Sequence, residues 1–540
     1  MAGPLASGDN NVSAVTKFRS GATGPAELHC RRMLLQARTG ASIRARTGRW
    51  PSPFGASPET QIVVGLSLVA AILRFATIGS QSYWLDESQA AHELGLSFGS
   101  MLGTWNVAEW NPPLYLIIAW PWARVFGTGE VGLRSLSAIL GVGLVPLLYL
   151  CGSELVSRRA GLVAAALAAV NPFMIWYSQE AREYMLLVVL CTGSLLFFAR
   201  ARRTRSSRDV LWWGVLSALA LLTQYFAGFL IAVEGVMLVY WLRSRTSLIA
   251  LAAQGVVLAP LIPHVIPRLQ SQAAFITSQR LLQRLQQVPV TFGFNTLYKS
   301  PGVSYGLLGA AVLAAVVIAL LVIGAGDREL RGAGIAAGLA AGVLLIPLAL
   351  ALAGHDDFIA RGLMPAWPPL AIVIAAAGTA RRAQLPGAVL VVVLVASFIW
   401  AGIAIDSNAF YQRPDWRGVA AALGSPTGTR AIVAYDGQFA TGPLSYYMPG
   451  IHWSGPGETP GTDTGPATIT ELDVVGNTWD QRSAVPGFRL IDSRTVDGYV
   501  VDRFSLSAPR RTTPAQITAL AMRLLSPGAQ VRPIIQRTSA

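Results

Sequence analysis

The chain has 540 residues, of which 53% are hydrophobic and only 13% are charged. Soluble globular proteins carry about a quarter charged residues, so this composition argues against a soluble protein and equally against a disordered chain. The net charge is +14. Because the basic residues cluster in short segments between apolar runs, they indicate membrane topology rather than nucleic-acid binding. The three cysteines follow no disulfide or metal spacing.

Residues 1–58 are rich in Gly, Ser, Ala and Arg and predict a disordered basic tail in the cytoplasm. The apolar run at about 60–79 is long enough to cross a bilayer. The next segment, 80–111, contains acids but no Lys or Arg, which is typical of an extracytoplasmic loop. Further candidate spans follow at about 131–150, 160–177, 184–200, 210–226, 228–242, 247–266, 303–325, 332–354, 362–379 and 385–405.

These runs predict eleven crossings, with every basic cluster in the cytoplasm and the C-terminus outside. The run at 112–127 is apolar but short, and it contains prolines and Arg124. Counting it as a crossing places the basic cluster at 199–208 outside the cytoplasm. We therefore expect 112–127 to be a re-entrant or interfacial segment that is covered by protein.

Residues 406–540 lack long apolar runs. Their pattern predicts a helix at 415–423, a strand at 430–436, two strands joined by an Asp-Gly turn within 489–506, and a helix at 513–525. The expected fold is a polytopic α-helical membrane protein of about 11 spans over 59–405. A small extracytoplasmic α/β domain is expected over 406–540.

Two short motifs on the outer side carry carboxylates. Adjacent acids such as Asp86 and Glu87 can bind a cation, position a hydroxyl or act as a general base, or they are simply solvated loop acids. Glu109 and Asn111 precede two prolines, and they either line a site or belong to a membrane-entry turn.

Isolated arginines on the same side suggest an anion site. Arg182 opposes the positive-inside tendency, and it either binds a phosphate or pairs with Glu180 or Glu183. Arg361 opens a late span and either binds the same anion or extends to the interface. The nearby His355, Asp356 and Asp357 give only a weak metal signal. The loop 267–302 carries Arg268, Arg280, Arg284 and Lys299 without an acid, which suits an anionic headgroup or an amphipathic surface helix.

These motifs together resemble the GT-C superfamily of integral-membrane glycosyltransferases, and the chain looks most similar to glycosyltransferase family 39. That family contains the protein mannosyltransferases and aminoarabinose transferases. The resemblance covers about residues 60–405 and implies a GT-C-like catalytic domain there. The residues that carry it are, in chain order, Asp86 and Glu87, Pro112 to Tyr115, Tyr177 to Arg182 followed by Tyr184, and Arg361 with Pro365.

The resemblance implies transfer of a sugar, mannose or another hexose or pentose, from a polyprenyl-phosphate donor to an extracytoplasmic acceptor. The enzyme is then expected in the cell membrane with its active site facing outside, with no nucleic-acid partner. Asp86 and Glu87 are the expected catalytic carboxylates, and Asp86 is expected to act as the general base. Arg182, Arg361 and Lys299 are expected to bind the donor phosphate, and Asn111, Tyr115, Glu180 and Tyr184 to contact substrate. The resemblance implies no certain cofactor, and it leaves open whether a divalent cation is needed.

Two positions depart from the family pattern. Asn111 stands where relatives often have His, and Glu183 stands where they often have an apolar residue. The resemblance therefore says less about the identity of the acceptor than about the donor. Two other classes of function stay open from the sequence. Eleven spans with charges between them also suit a transporter or flippase, although no inverted halves are evident. A non-catalytic membrane scaffold or receptor subunit is the third.

Overall fold

A computed structural model describes residues 57–108, 111–263, 276–435, 437–448, 466–477, 487–525 and 532–536. Most of the basic tail, Glu109 and Arg268 lie outside these residues. The first part of the described chain is almost entirely helical, and the last part contains a five-stranded sheet.

The helices up to residue 258 are α1 (Pro58–Phe75), α2 (Leu85–Gly95), α3 (Phe98–Ala108), α4 (Leu114–Phe126), α5 (Glu130–Leu155), α6 (Arg158–Val170), α7 (Pro172–Ser178), α8 (Tyr184–Thr204), α9 (Ser207–Leu221), α10 (Ala227–Leu242) and α11 (Arg245–Leu258). They are followed by α12 (Leu281–Phe294), α13 (Gly306–Gly324), α14 (Asp327–Leu352), α15 (Trp367–Gly378) and α16 (Gln384–Asp406). A 3₁₀ turn, Ala360–Ala366, leads directly into α15.

Within the described residues, seven helical segments are long and apolar enough to cross a membrane, and the bent pair α6–α7 makes an eighth. Three shorter apolar helices accompany them, at Leu114–Phe126, Ala227–Leu242 and Arg245–Leu261. Their outward faces carry large apolar side chains such as Leu68 and Ile72, as expected of surfaces in contact with lipid. The multi-pass architecture is confirmed, whereas the count of eleven crossings stays a prediction.

Helix α8 is the central helix of this bundle. It packs against α5, α9 and α10, and most of its length is buried. By contrast, α1 and α16 are largely exposed at the periphery. Because α8 is enclosed along its length, the residues at its two ends are positioned by several neighbouring helices at once.

The run expected as one span at 160–177 is broken between α6 and α7, whose axes differ by 59°. The break falls at Asn171–Pro172, because Pro172 cannot donate a backbone hydrogen bond and Asn171 instead caps α7 by accepting from the N–H of Met174. The guanidinium of Arg74, fully buried on α1, donates to the carbonyls of Ala168 and Ala169 at 2.9 and 3.0 Å. A buried cation thus stabilises the carbonyl end of α6, whose last carbonyls have no partner within the helix.

The segment expected to be re-entrant or interfacial forms the 13-residue helix α4. It begins directly after Pro112 and Pro113 and packs against α2 and α5. Trp120 donates to the carbonyl of Leu96, and Trp122 donates to that of Gly132. Protein therefore covers part of this short helix, and its position relative to the bilayer stays a prediction.

The chain after α16 forms helices α17 (Trp416–Leu423), α18 (Gly437–Tyr447) and α19 (Pro514–Ala521) and strands β1 (Arg430–Ala434), β2 (Ala467–Asn477), β3 (Phe488–Val496), β4 (Tyr499–Thr512) and β5 (Arg532–Gln536). The strand order is β3-β4-β2-β1-β5, with β1 and β2 parallel and the other pairs antiparallel. The predicted helices and hairpin are confirmed. Asp497 and Gly498 both have positive φ, as a tight hairpin turn requires. The outer location of this part stays a prediction.

The α/β part lies directly on the segment that follows α1. The hydroxyl of Tyr447 accepts from the N–H of Tyr83 at 2.7 Å, and Ser82 exchanges hydrogen bonds with the backbone at 414–416. Gly442 of α18 approaches α2 so closely that a Cβ there would lie 2.8 Å from Leu85. The carboxylates at the start of α2 are therefore held between the helical bundle and the sheet.

Candidate functional site

A buried carboxylate, Glu87, lies at the centre of the polar cluster. Arg134 of α5 binds it with two hydrogen bonds of 2.8 and 2.7 Å. The N–H of Ala181 donates to it at 2.9 Å, and the guanidinium of Arg413 lies 3.7 Å away. The side chain of Glu87 is 0% exposed. It therefore joins α2, α5, the 179–183 loop and the segment after the last span, and it offers no surface to a substrate.

The charges around Glu87 decide its protonation. Burial by itself raises the pKa of a carboxyl group, but Arg134, then Arg413, and the Ala181 N–H together hold the pKa of Glu87 below its ordinary value. Glu87 is thus a carboxylate whose charge is matched inside the protein. Arg134 is saturated as well, because it also donates to the carbonyls of Ile78, Gln81 and Ser82.

Glu180 shares Arg413 with Glu87. Arg413 donates to the Glu180 carboxyl at 2.9 Å and to the carbonyl of Gln179 at 3.3 Å, and its guanidinium lies 4.2 Å from the Trp176 ring centroid. Burial raises the pKa of Glu180 to about 7, with Glu87 adding to the rise and Arg413 opposing it. The candidate site therefore contains one carboxyl that is ionised throughout the neutral range and one that titrates within it.

Arg182 pairs with Glu183, and the Nε to carboxylate distance is 3.0 Å. Glu183 also accepts from the side-chain amide of Asn111 at 2.8 Å. The Arg182 side chain is 8% exposed, and Tyr115 lies buried within range of the charges of Arg182 and Glu183. Of the two alternatives for Arg182, the ion pair with Glu183 is present, and Asn111 is brought into the cluster through it.

Asp86 and Arg361 form the accessible part of the cluster. Their carboxylate and guanidinium lie 3.7 Å apart, and the two side chains are 29% and 28% exposed. Arg361 also lies within electrostatic range of Tyr184, Tyr177 and Glu180. Because successive residues on a helix point about 100° apart, Glu87 faces the core while the neighbouring Asp86 is partly exposed.

The other residues predicted from the outer loops have local partners. Lys299 is exposed, and it donates to the carbonyls of Phe410 and Gln412 at 3.1 and 3.4 Å. Asp356 forms an ion pair with Arg284, whose hydrogen bonds lower the pKa of Asp356. Among the described residues, no group of three or more His, Cys, Asp or Glu side chains is arranged to hold a metal ion.

The sequence interpretation missed Arg134 and Arg413, the two cations that neutralise the cluster. Arg134 had a detectable signal, because an ionisable residue at the start of an apolar span is functional or paired by default. Arg413 had no comparable signal in the sequence, since it follows the last apolar span in an ordinary polar segment. The structure thus brings together eight of the nine predicted residues and adds these two cations, whereas Lys299 is held by the 410–412 turn.

We expect Glu87→Gln to destabilise the protein by about 3–5 kcal/mol, because removal of its charge leaves the buried guanidinium of Arg134 without a carboxylate partner. Asp86→Asn is the matched control on the same helix, and we expect a loss of about 0–1 kcal/mol from its exposed pair. Thermal unfolding of the purified protein in detergent measures both. Equal unfolding temperatures for the two variants would contradict the structural role of Glu87.

A second prediction concerns pH. With its folded pKa near 7 and an ordinary value of 4.5, Glu180 binds a proton in the folded state where the unfolded chain has released it. Stability therefore falls as the pH rises from about 4.5 to 7, with a slope near 1.4 kcal/mol per pH unit for one proton. Unfolding curves between pH 5 and 8 should show a shallower slope for Glu180→Gln.

Asp473 of β2 provides an independent comparison for that experiment, because burial raises its pKa to about 7 as well. Asp473→Asn should remove a similar part of the pH dependence of stability. The variant with both Glu180→Gln and Asp473→Asn should show the weakest dependence on pH. An unchanged slope in Glu180→Gln would mean that Glu180 is ionised throughout this range.

The sequence of residues 111–266 matches the family model described as dolichyl-phosphate-mannose-protein mannosyltransferase. This match covers less than half of the chain. It includes Asn111, Tyr115, Glu180, Arg182 and Tyr184 and leaves out Asp86 and Arg361. No sequence among the curated proteins matches this one.

Solved structures show a likeness over most of the chain. The crystal structure of ArnT from Cupriavidus metallidurans bound to undecaprenyl phosphate is 15% identical, covers 82% of this chain and 98% of the ArnT chain, and has a TM-score of 0.50. The arabinofuranosyltransferase AftD from Mycobacteria is 16% identical over 83% of this chain and 41% of its own, with a TM-score of 0.42. The oligosaccharyltransferase AglB from Archaeoglobus fulgidus is 12% identical. The match covers 68% of this chain and 58% of the AglB chain, with a TM-score of 0.40.

The resemblance drawn from the sequence is thereby confirmed. The chain has an ArnT-like fold, and its residues 111–266 match the sequence pattern of the dolichyl-phosphate-mannose-protein mannosyltransferase family.

Proposed function

We propose that this protein is a membrane glycosyltransferase that moves a hexose or pentose from a polyprenyl-phosphate donor to an acceptor hydroxyl outside the cytoplasm. The observation that carries the proposal is the accessible pair of Asp86 and Arg361, 3.7 Å apart beside a fully neutralised buried cluster. A carboxylate and a guanidinium exposed side by side supply a proton acceptor and a phosphate ligand. The ArnT-like fold supports this reading, as does the binding of undecaprenyl phosphate by ArnT itself.

In the proposed reaction, the acceptor oxygen attacks the anomeric carbon of the donor sugar. The bond between that carbon and the phosphate oxygen breaks, and the polyprenyl phosphate leaves with the electron pair. Asp86 takes the proton of the acceptor hydroxyl, and Arg361 stabilises the charge that develops on the leaving phosphate. A single displacement of this kind inverts the anomeric configuration.

The buried cluster has a positioning role in this proposal. Glu87 fixes the backbone of Ala181 and the helix that carries Asp86, so we assign it to the support of the site rather than to catalysis. Arg182 stays a predicted phosphate ligand. It ranks below Arg361 because its side chain is 8% exposed and lies against Glu183. Lys299, held by carbonyls at 410 and 412, ranks lower still.

The charge distribution supports an active site outside the cytoplasm. The cluster lies at the beginning of α8, next to Glu183, whereas Arg202 and Arg203 lie in its last turn. A helix of 21 residues spans about 30 Å, so the acidic site and the basic cluster at 199–208 lie at opposite ends. By the positive-inside tendency, the basic end faces the cytoplasm.

We expect Asp86→Asn to lower the rate of sugar transfer by about 10²–10⁴-fold while donor binding is retained, since the amide keeps the shape but accepts no proton. The assay uses purified protein with a labelled polyprenyl-phosphate sugar. Asp492→Asn, at an exposed acid of β3 that pairs with Arg494, is the control for removal of a charge. Near-normal turnover in Asp86→Asn would refute its role as the base.

Arg361→Lys should weaken donor binding by about ten-fold or more, because an ammonium group does not replace the two-pronged contact of a guanidinium with phosphate. The same substitution at the exposed Arg494 should leave the apparent donor affinity unchanged. Wild-type affinity in Arg361→Lys would remove this residue from the phosphate site. The same measurement on Arg182→Lys tests the second predicted ligand.

A further inference from the structure

A cluster of arginines lies at the C-terminal end of α8, remote from the Asp86–Arg361 pair. It borders a cavity of about 420 Å³ that is lined by Arg202, Arg205, Trp241, Leu242, Arg331 and Ile335. These residues come from the ends of α8 and α10 and the beginning of α14. The end of α8 and the beginning of α14 thus bring three arginines to one hollow, and no acid is among its lining residues that the structure describes.

Within the described residues, the three arginines have no carboxylate partner. Arg202 stacks on Trp241 with its guanidinium 5.2 Å from the ring centroid, and the Nε of Arg331 donates to the backbone carbonyl of Asp327. Arg202 and Arg331 lie close enough for their charges to repel. In the described part of the chain, no carboxylate lies within 4 Å of any of the three guanidinium groups.

Neighbouring arginines at the same end of the bundle are arranged differently. Arg203 pairs with Glu154, Arg158 with Glu59 at 3.5 Å, and Arg381 with Glu329 at 3.3 Å. An adjacent cavity of about 490 Å³ contains Glu154, Asp327 and Glu329 together with its arginines. The cavity around Trp241 differs from this adjacent cavity because no acid is among its lining residues that the structure describes.

Arg205 reaches the cavity from the position that follows α8. Arg205 follows α8 with φ at 54°, in the left-handed conformation in which helices usually place glycine or asparagine. An arginine in this position is disfavoured by its Cβ. Here it closes the helix while its side chain joins Arg202 and Arg331 in lining the cavity.

We propose that this cavity binds the phosphate of an anionic lipid in the leaflet at the basic end of the bundle. Guanidinium groups match phosphate oxygens, and basic pockets between membrane helices bind lipid headgroups. A lipid is favoured over a soluble phosphate because Trp241, Leu242 and Ile335 provide apolar walls. The neighbouring surface of α10 also exposes Tyr240 and Val236 at 68% and 61%.

Native mass spectrometry of the purified full-length protein tests this proposal with added phosphatidylglycerol and, separately, phosphatidylcholine. Wild-type protein should retain phosphatidylglycerol in preference. Each arginine near an anionic headgroup contributes about five-fold in affinity, so the Arg202→Gln/Arg331→Gln variant should bind it about 25-fold more weakly. Arg203→Gln, at the same end but paired with Glu154, is the matched control and should retain wild-type binding.

Two further measurements distinguish a lipid headgroup from a soluble phosphate and a loss of binding from a loss of folding. Inorganic phosphate at millimolar concentration should not displace the phosphatidylglycerol. Full displacement by inorganic phosphate would assign the site to a soluble phosphate and overturn the lipid. Equal binding of the two lipids, or unchanged binding in the double variant, would also overturn the proposal. If the double variant unfolds, Arg205→Glu on the exposed helix end replaces it, with the same loss expected.

Discussion

The buried carboxylate of Glu87 joins parts of the chain that lie far apart in the sequence. It receives two hydrogen bonds from Arg134, one from the backbone of Ala181, and the charge of Arg413. A buried charge is tolerated only when such partners compensate for lost hydration. The geometry of the loop at 179–183, and with it the start of the central helix α8, is therefore set by the requirement to neutralise this one group.

That requirement separates two neighbouring acids into different roles. Glu87 is enclosed and saturated, so it is available neither to substrate nor to bulk water. Asp86, one residue earlier on the same helix, is exposed beside Arg361. The buried cluster fixes the helix that carries Asp86, as the proposed proton acceptor and phosphate ligand require before the substrate arrives.

Much of this arrangement could be predicted from the sequence. Asp86, Arg182 and Arg361 stood out because polar residues are rare beside apolar runs. The partners could not be predicted, because Arg134 is 47 positions from Glu87, and Arg413 is 233 positions from Glu180. Nor do two adjacent acids show which one faces the core. The broken span at Asn171–Pro172 was missed because composition reports apolar length and not the direction of an axis.

The position of Arg413 has a consequence for how the protein is made. It follows α16, the last apolar helix, yet it completes a cluster whose acids, Glu87 and Glu180, enter the membrane far earlier during synthesis. Until residue 413 leaves the ribosome, Glu87 has Arg134 as its only guanidinium partner among the described residues, and Glu180 lacks the guanidinium that binds it. The loop between α7 and α8 therefore lacks one of its anchors. Completion of the site is therefore coupled to completion of the helical bundle. A chain interrupted before that point lacks the cation that joins Glu180 and the carbonyl of Gln179 to the segment after α16.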